Sequence, residues 1–557
     1  MPTITISYED LLNLLGEKLS LKKIEETLFL TKCQVESLTN NEITIEVMAD
    51  RPDLLSVEGI SRELKGILGF EKGLKKYKVG RSNVKINVEP TVEIVRPFIS
   101  SSVIKGVTLN DESVRQVMQL QEKLHLTYCR NRRKVSIGIH DFDTIEGDIF
   151  YAGVPPNRIR FVPLDEEEEM NGIEILENIP KGREYGHIIK NFPRYPLLYD
   201  SKGDVLSLPP IINGIITKIT ENTKNILLDV TGTDPDLVEF VNNIMASNIF
   251  ERGGKIEAVE ISKKDEIRFV PKLDSQSIKF RIDFTNEILG LKLNKTQIIN
   301  SLEKMRYGIK TIGKNYLEVS IPPYRADILH EIDIVEDVAL GYGYNRLGPE
   351  MPLIPTIGIE REITSYIRKA CNIMIGLGFQ EILNYILTNR EYLFEKMVIQ
   401  NSDVVELENP LTSEYSTLRN SLLPGLINFL SYNKHISYPQ NIFECGDVVI
   451  YNESEPTKTS NSKRLTAVLC DYRISYEDIQ SSLYSFLKNI GIKKWILERT
   501  ENPSFIKGRV ASIYIEGIKN PMGIIGEINP IILNNFEIEN PIATFEIKLE
   551  EMMKNSI

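Results

Sequence analysis

The chain has 557 residues, 42% of them hydrophobic and 26% charged, and a formal net charge of −12. That length calls for about three to five domains, and the acidic balance excludes a generic basic coat for nucleic acid. Five scattered cysteines with no Cys-x-x-Cys, five scattered histidines, no membrane-length apolar run and no basic-then-apolar start argue against zinc, a membrane span or a signal peptide, and for a reducing cytoplasm.

Residues 1–75 read as a small α/β unit. Ser7 to Asp10 forms a capping pattern before Leu11 and Leu12. Gly16 ends that helix and Ser20 starts a second one. Glu42 to Val47 alternates as a strand. Asp50-Arg51-Pro52-Asp53 follows, then a helix that ends near Gly66 to Gly69.

Residues 80–270 are rich in short strands, such as Val84 to Val88 and Val135 to Asp141. Arg130-Asn131-Arg132-Arg133-Lys134 is a local basic stretch that fits either a nucleic-acid contact or a solvated loop. Asp165 to Glu169 is a like-charge run expected in an exposed loop. Ile226 to Asp234 reads as a buried strand ending in Thr231, Thr233 and Asp234, after which a helix runs from Leu237 to Asn248. Such a strand end suits a small-molecule pocket, and equally suits a plain turn with Asp234 as helix cap.

Residues 275–346 repeat the first unit at a constant offset of 274. Gly16 falls on Gly290, Ser20 on Asn294, Ile24 on Ile298, Leu28 on Leu302, Asp53 on Asp327 and Gly69 on Gly343. The second copy carries Tyr324 to Leu340, expected to form a helix from Ile328 with Asp327 as cap. On that helix Asp333, Glu336 and Asp337 share one stripe, where the first copy has Gly59, Arg62 and Glu63. Two readings fit: a solvated acidic face, or carboxylates gathered on a divalent cation, which would relieve their repulsion. The difference between the copies implies that the scaffold does not need these carboxylates.

Residues 350–557 read as a large α/β domain. A helix from Glu360 to Ile375 leads to a strand from Glu381 to Leu387. Further strands are expected at Gln440 to Ile450, Leu465 to Cys470 and Val510 to Ile515, with Asn452 to Arg464 as a loop.

Several motifs, in this order, make the chain resemble the beta subunit of phenylalanine–tRNA ligase in its short archaeal and eukaryotic form. They are Asp50 to Gly59, Leu208 to Asn213, Tyr324 to Asp337, Glu408 to Leu411 with Leu418 to Leu423, Phe443 to Gly446 and Gly523 to Pro530. The resemblance implies a multidomain α+β fold: a duplicated small α/β domain (1–75 and the B5-type 275–346), a B3/B4-type editing domain (80–270) and a class II synthetase-like antiparallel-sheet domain (350–557). In that last domain Tyr385, Ser421 and the arginine-free Gly523 to Pro530 depart from the catalytic class II motifs. ATP and phenylalanine are therefore expected on an alpha subunit, in an α2β2 tetramer that charges tRNA(Phe). The resemblance further implies Mg²⁺ at Asp327, Asp333, Glu336 and Asp337, shared with the alpha subunit. It implies a middle domain that hydrolyses mischarged tyrosyl-tRNA, because a pocket for phenylalanine rejects an added hydroxyl only modestly. Leu208 is the expected apolar wall. Asn213 and Asp234 are the expected polar partners, and Thr231 and Thr233 the lining. Arg132 and Arg133 are expected to meet the tRNA end. With no Ser-His-Asp or Cys-His arrangement in view, the expected nucleophile is water. Alternatives are a freestanding aminoacyl-tRNA hydrolase or an RNA-binding scaffold.

Overall fold

The computed structural model describes all residues except 40, 265, 355 and 557, and all side chains except those and 555–556. It divides into two compact units, Met1–Met351 and Pro352–Ile557.

Unit one opens with strand Thr3–Ser7, helices Tyr8–Leu15 and Leu21–Leu28, strands Cys33–Leu38 and Glu42–Val47, and helix Val57–Leu68. It closes with the same series: strand Gln276–Arg281, helices Ile282–Leu289 and Lys295–Lys304, strands Gly308–Thr311 and Tyr316–Ile321, and helix Glu331–Tyr342. Each series forms a three-stranded sheet with its third strand in the centre. The local causes are duplicated too. Ser20 and Asn294 each cap the second helix by accepting a bond from the third residue on. Gly16 and Gly290 end the first helix at φ of 75° and 65°, a left-handed conformation that a side chain would strain.

One boundary differs from the sequence expectation. The last helix of the second copy begins at Glu331, not Ile328, and its cap is His330, not Asp327. The Asp327 carboxylate is held by Arg325 at 2.7 Å through both oxygens, so it is not free to cap. Asp333 instead reaches back to the Leu329 and His330 amides at 2.8 and 2.7 Å.

Between the copies lies a ten-stranded sheet. Its path runs Ile212–Asn213, Val205–Leu208, Tyr195–Asp200, Ile149–Val154, Gly80–Val88, Lys255–Lys263, Phe98–Lys105, Asn225–Gly232 and Val135–Asp141, and the tenth strand, Glu266–Val270, pairs with Lys255–Lys263 off that path. The sheet curls until its two ends meet. Asn213, on the first strand of the path, donates to the Ile139 carbonyl, on the last, at 3.3 Å. Helices Asp111–Leu126 and Pro235–Phe250 pack apolar residues such as Leu120, Leu124, Val241 and Ile244 into the core shared with the first copy.

Unit two is built on a seven-stranded sheet, antiparallel except at the short edge strand Gln380–Glu381. Helices Glu362–Gly376 and Tyr476–Ile490 contribute to one core, and helices Leu423–Tyr432 and Pro530–Asn535 to another. The strand expected at Glu381 to Leu387 shrinks to Gln380–Glu381 and Leu387–Thr388, and between them Asn384 donates to Glu444 at 2.8 Å. The loop expected over Asn452 to Arg464 ends early. Thr459–Cys470 is one strand, paired back to Tyr451, because Thr459 to Arg464 are mostly half-buried strand residues despite their polarity.

Candidate functional site

The curled sheet encloses a cavity of about 280 Å³. At its floor the strand Asn225–Gly232 carries a lone carboxylate, Asp229, in an otherwise apolar run, and it is buried. Its Oδ2 accepts from the Ser207 hydroxyl at 3.0 Å and lies 2.7 Å from His140 Nε2. His140 Nδ1 is 2.8 Å from the Thr217 hydroxyl. A carboxylate requires a donor, so His140 carries a proton at Nε2. Among the described residues Asp229 Oδ1 has no hydrogen-bond partner, and Asp229 lines the cavity. The residues are thus a fixed carboxylate with one oxygen committed to the protein and one open to a guest.

His125 and Arg132 also line the cavity. His125 accepts the Ile137 amide at Nε2, 2.8 Å away, so its proton is on Nδ1, which faces Glu122 at 3.6 Å. Burial pushes the pKa of His125 down to about 4, with Glu122 opposing and Arg132 assisting. Arg132 lies 3.2 and 3.0 Å from the carbonyls of Pro210 and Ile211, 3.0 Å from Glu122, and over the Tyr185 ring. Arg130, Asn131 and Arg132 all have φ between 52° and 62°, an uncommon left-handed run that turns Arg132 inward.

Several sequence expectations are relocated by this geometry. Strand alternation puts Ser207 on the cavity and buries Leu208 against Ile159, Tyr185 and Leu197, so Leu208 is not the wall. Asn213 does line the cavity. Thr231 sits one layer behind, bonded to Ser136 at 3.0 Å and to Arg96 at 3.1 Å. Thr233 and Asp234 lie outside the lining. Asp234 caps the helix Pro235–Phe250 and pairs with Lys134 at 3.4 Å, so the plain-cap reading holds for it. Arg132 is buried and clamps the Pro209–Ile211 loop, whereas Arg133 is exposed. Asp229, Ser207 and His140 were missed. The available signal was the single acid inside the apolar run Ile226 to Val230. A Ser, a His and an Asp do meet here, but the serine donates to the carboxylate rather than to the imidazole, so no base activates it.

The acidic stretch in the second copy is neutralised from within. Arg325 grips Asp327 and also Asp337, at 2.7 Å, and Tyr307 donates to Asp337. The first copy has the same arrangement at the same offset. Arg51 grips Asp53 at 2.8 and 2.9 Å and Glu63 at 3.0 Å. Glu63 and Asp337 are therefore equivalent acids, which corrects the inference for Asp337, while Asp333 and Glu336 still fall on Gly59 and Arg62. Arg325 holds the Asp327 carboxyl well below the usual range against its burial.

The residues do not fit a four-carboxylate magnesium site. Among the described residues no group of three or more potential ligands converges. Asp333 Oδ2 is spent on the helix cap, and Glu336 pairs with Lys32 at 3.0 Å. Asp337 Oδ1 is buried and unpartnered, as a missing ion would leave it, but Glu63 Oε1 is unpartnered in the same way, as are Arg51 Nη1 and Arg325 Nη1. The orphan atoms belong to the duplicated triad.

In unit two, Arg419 is committed to the fold: it pairs with buried Glu444 at 2.6 Å and donates to the Asp447 carbonyl at 2.9 Å. Ser421 donates to Glu546 at 2.8 Å.

Three family models match. They describe a B3/4 domain over residues 107–270, a tRNA synthetase B5 domain over 278–344 and a phenylalanyl tRNA synthetase beta chain CLM domain over 348–549. Together with the curled-sheet cavity they define a subunit of an aminoacyl-tRNA synthetase. The chain is 40% identical over 552 residues to the phenylalanine–tRNA ligase beta subunit of Archaeoglobus fulgidus, covering 99% of this chain and 98% of that one. With that of Methanocaldococcus jannaschii it shares 40% over 555 residues, covering 99% and 100%. A crystal structure of an N-terminal fragment of the Pyrococcus horikoshii beta subunit is 40% identical, with a TM-score of 0.60, and spans 62% of this chain and 100% of the fragment. The chain belongs to the family of phenylalanine–tRNA ligase beta subunits. An alpha subunit and tRNA are the partners that membership implies. Among the described residues no helix is long and apolar enough to cross a membrane.

Proposed function

We propose that this chain is the non-activating half of an α2β2 phenylalanine–tRNA ligase of the cytoplasm, and that its Asp229 cavity hydrolyses tyrosyl-tRNA. The observation that carries the second part is the open Oδ1 of Asp229. A tyrosine phenol donates to it. A phenylalanine ring in the same place leaves a buried carboxylate oxygen unpaired, at a cost of about 1–3 kcal/mol or more for a charged group. Ser207 and His140 hold the carboxylate so that it does not turn to solvent. The Arg132 clamp keeps the Pro209–Ile211 loop over the guest. Hydrolysis then needs one water. Its oxygen bonds to the ester carbon, the bond from that carbon to the terminal ribose oxygen breaks, and a proton passes to that oxygen, releasing tyrosine and intact tRNA.

The commitment of Arg419 and Ser421 to Glu444 and Glu546 supports placing ATP and phenylalanine on the alpha subunit. The test is co-purification. The tagged chain should bring down a second, class II-like chain, and only the pair should charge tRNA(Phe). Charging by this chain alone overturns the proposal. For the cavity, a 3′-tyrosylamide of adenosine should bind about tenfold or more tighter than the phenylalanyl amide; equal binding overturns that reading.

A further inference from the structure

Arg96 is 1% exposed, and among the described residues its side chain bonds only to neutral groups. Its Nη2 donates to the carbonyls of Thr231 at 2.9 Å and Arg132 at 3.2 Å, and its Nε to the Thr231 hydroxyl at 3.1 Å. A charge this deep is costly unless an opposite charge stands near. The other buried arginine here, Arg132, already has Glu122 at 3.0 Å, and at the cavity Asp165 has Lys218 at 2.8 Å. Asp229 is the acid left over. It is buried too, and its one titratable contact is His140. Asp229 precedes Thr231 by two residues on strand Asn225–Gly232, so both side chains leave the same face, about 7 Å apart along the strand. Arg96 is thus bonded to the next side chain on that face. The residues opposite the two, Gly138 and Ser136, bring no charge between them. Burial pushes the Arg96 pKa down to about 10. Of the groups that oppose this, Tyr151 and Cys129 are uncharged at neutral pH, and Asp229 is the carboxylate.

We propose that Arg96 is the counter-charge of Asp229: a positioning residue that touches no guest and sets the tyrosyl preference by keeping that carboxylate ionised in the empty cavity. The pair is held apart by the Thr231 side chain. A guanidinium in direct contact would occupy Oδ1, whereas one a step away leaves it open to a phenol. Ionisation matters because the cost of leaving the oxygen unpaired beside a phenylalanine ring is larger for a charged group than for a neutral one. The inference rests on this cavity being the tyrosyl site.

The test is the ratio of tyrosyl-tRNA to phenylalanyl-tRNA deacylation by the purified complex, followed from about pH 6 to about pH 8. It compares the unsubstituted chain with Arg96→Gln and Arg96→Lys. In Arg96→Gln the ratio should fall at least tenfold at the acid end and recover as pH rises, since Asp229 without its counter-charge holds a proton there. Arg96→Lys keeps the charge and should restore the ratio at the acid end. Charging of tRNA(Phe) should be equal in all three. The other charged or titratable groups around the cavity, His125, Arg132, His140, Asp165, Lys181 and Lys218, are common to all three chains. A ratio that Arg96→Gln leaves unmoved makes His140 the counter-charge and overturns the inference. A ratio lost at every pH makes Arg96 a strut and also overturns it. An unsubstituted complex with no tyrosyl preference overturns the cavity reading, and this inference with it. Because Arg96→Gln also removes three hydrogen bonds, a second measurement uses the unsubstituted complex: proton exchange on binding the 3′-tyrosylamide and the 3′-phenylalanylamide of adenosine, read by calorimetry in buffers of different ionisation enthalpy. Both should exchange the same number of protons at the acid end of that range. A proton released only with the tyrosyl amide shows Asp229 protonated in the empty cavity and overturns the inference.

Discussion

Asp337→Asn is the sharpest probe of the acidic helix, because a metal ligand and a framework acid respond to it differently. Asp337 is buried, bonds Arg325 at 2.7 Å and accepts from Tyr307. Removing its charge leaves Arg325 with Asp327 alone, and breaking a buried pair from one side costs about 3–5 kcal/mol. Glu63→Gln in the first copy should cost a similar amount, since Arg51 is left in the same position. The one tryptophan, Trp495, is in the other unit, so tryptophan fluorescence would miss the event. Hydrogen–deuterium exchange reads it locally. In metal-free buffer, amides of Tyr316–Ile321 and Glu331–Tyr342 should lose protection by a factor of about 10² to 5 × 10³ in Asp337→Asn, at a tenfold change per 1.36 kcal/mol. Replacing the whole triad, as Arg325→Met with Asp327→Leu and Asp337→Leu, should restore most of it. Unchanged protection in Asp337→Asn, beside a clear loss in Glu63→Gln, refutes the framework role.

Leu208→Ala should destabilise by about 2–5 kcal/mol as a core truncation, while the preference of the cavity for a tyrosyl guest survives; a lost preference with little destabilisation would return Leu208 to the wall. Asp234→Ala should cost about 1 kcal/mol as a lost helix cap and leave tyrosyl-tRNA hydrolysis intact, as deacylation rates will show. Acid sensitivity should track His125. Its pKa is pushed from 6.5 down to about 4, so the folded chain takes that proton less readily than the unfolded one, and its contribution is whole above 6.5 and lost as pH falls toward 4. Glu122, drawn down to about 2 chiefly by the neighbouring His125, acts in the same sense, its contribution being present above 4.5 and lost as pH falls toward 2. His125→Gln should flatten the fall of thermal midpoint between pH 6.5 and 4; an equal slope refutes the assignment.

What could be read from the chain was what local chemistry writes. The caps at Ser20 and Asn294 and the left-handed glycines Gly16 and Gly290 act within a few residues, so the duplication was visible as a constant offset. The offset also paired Glu63 with Asp337, but without the arginines in three dimensions two acids of unequal length passed for a difference rather than one buried triad. The cavity was visible only in part. Its parts come from strands brought together by the curl of the sheet, so Ser207 and Asp229, 22 positions apart, gave no shared motif. Alternation along Val205–Leu208 could have exchanged Leu208 for Ser207, given which face was inward. Arg132 gave no sign of being buried, because a run of basic residues predicts solvent and the left-handed turn that folds it inward is not carried by glycine.

The central claim is that Asp229 makes this chain discriminate tyrosine from phenylalanine on tRNA, and the direct measurement is the pair of deacylation rates for tyrosyl-tRNA and phenylalanyl-tRNA with the purified complex before and after Asp229→Asn. The unsubstituted complex should strip tyrosine at least tenfold faster than phenylalanine, and the substituted complex should lose that ratio while still charging tRNA(Phe). A tyrosyl preference that persists undiminished in Asp229→Asn would contradict the account.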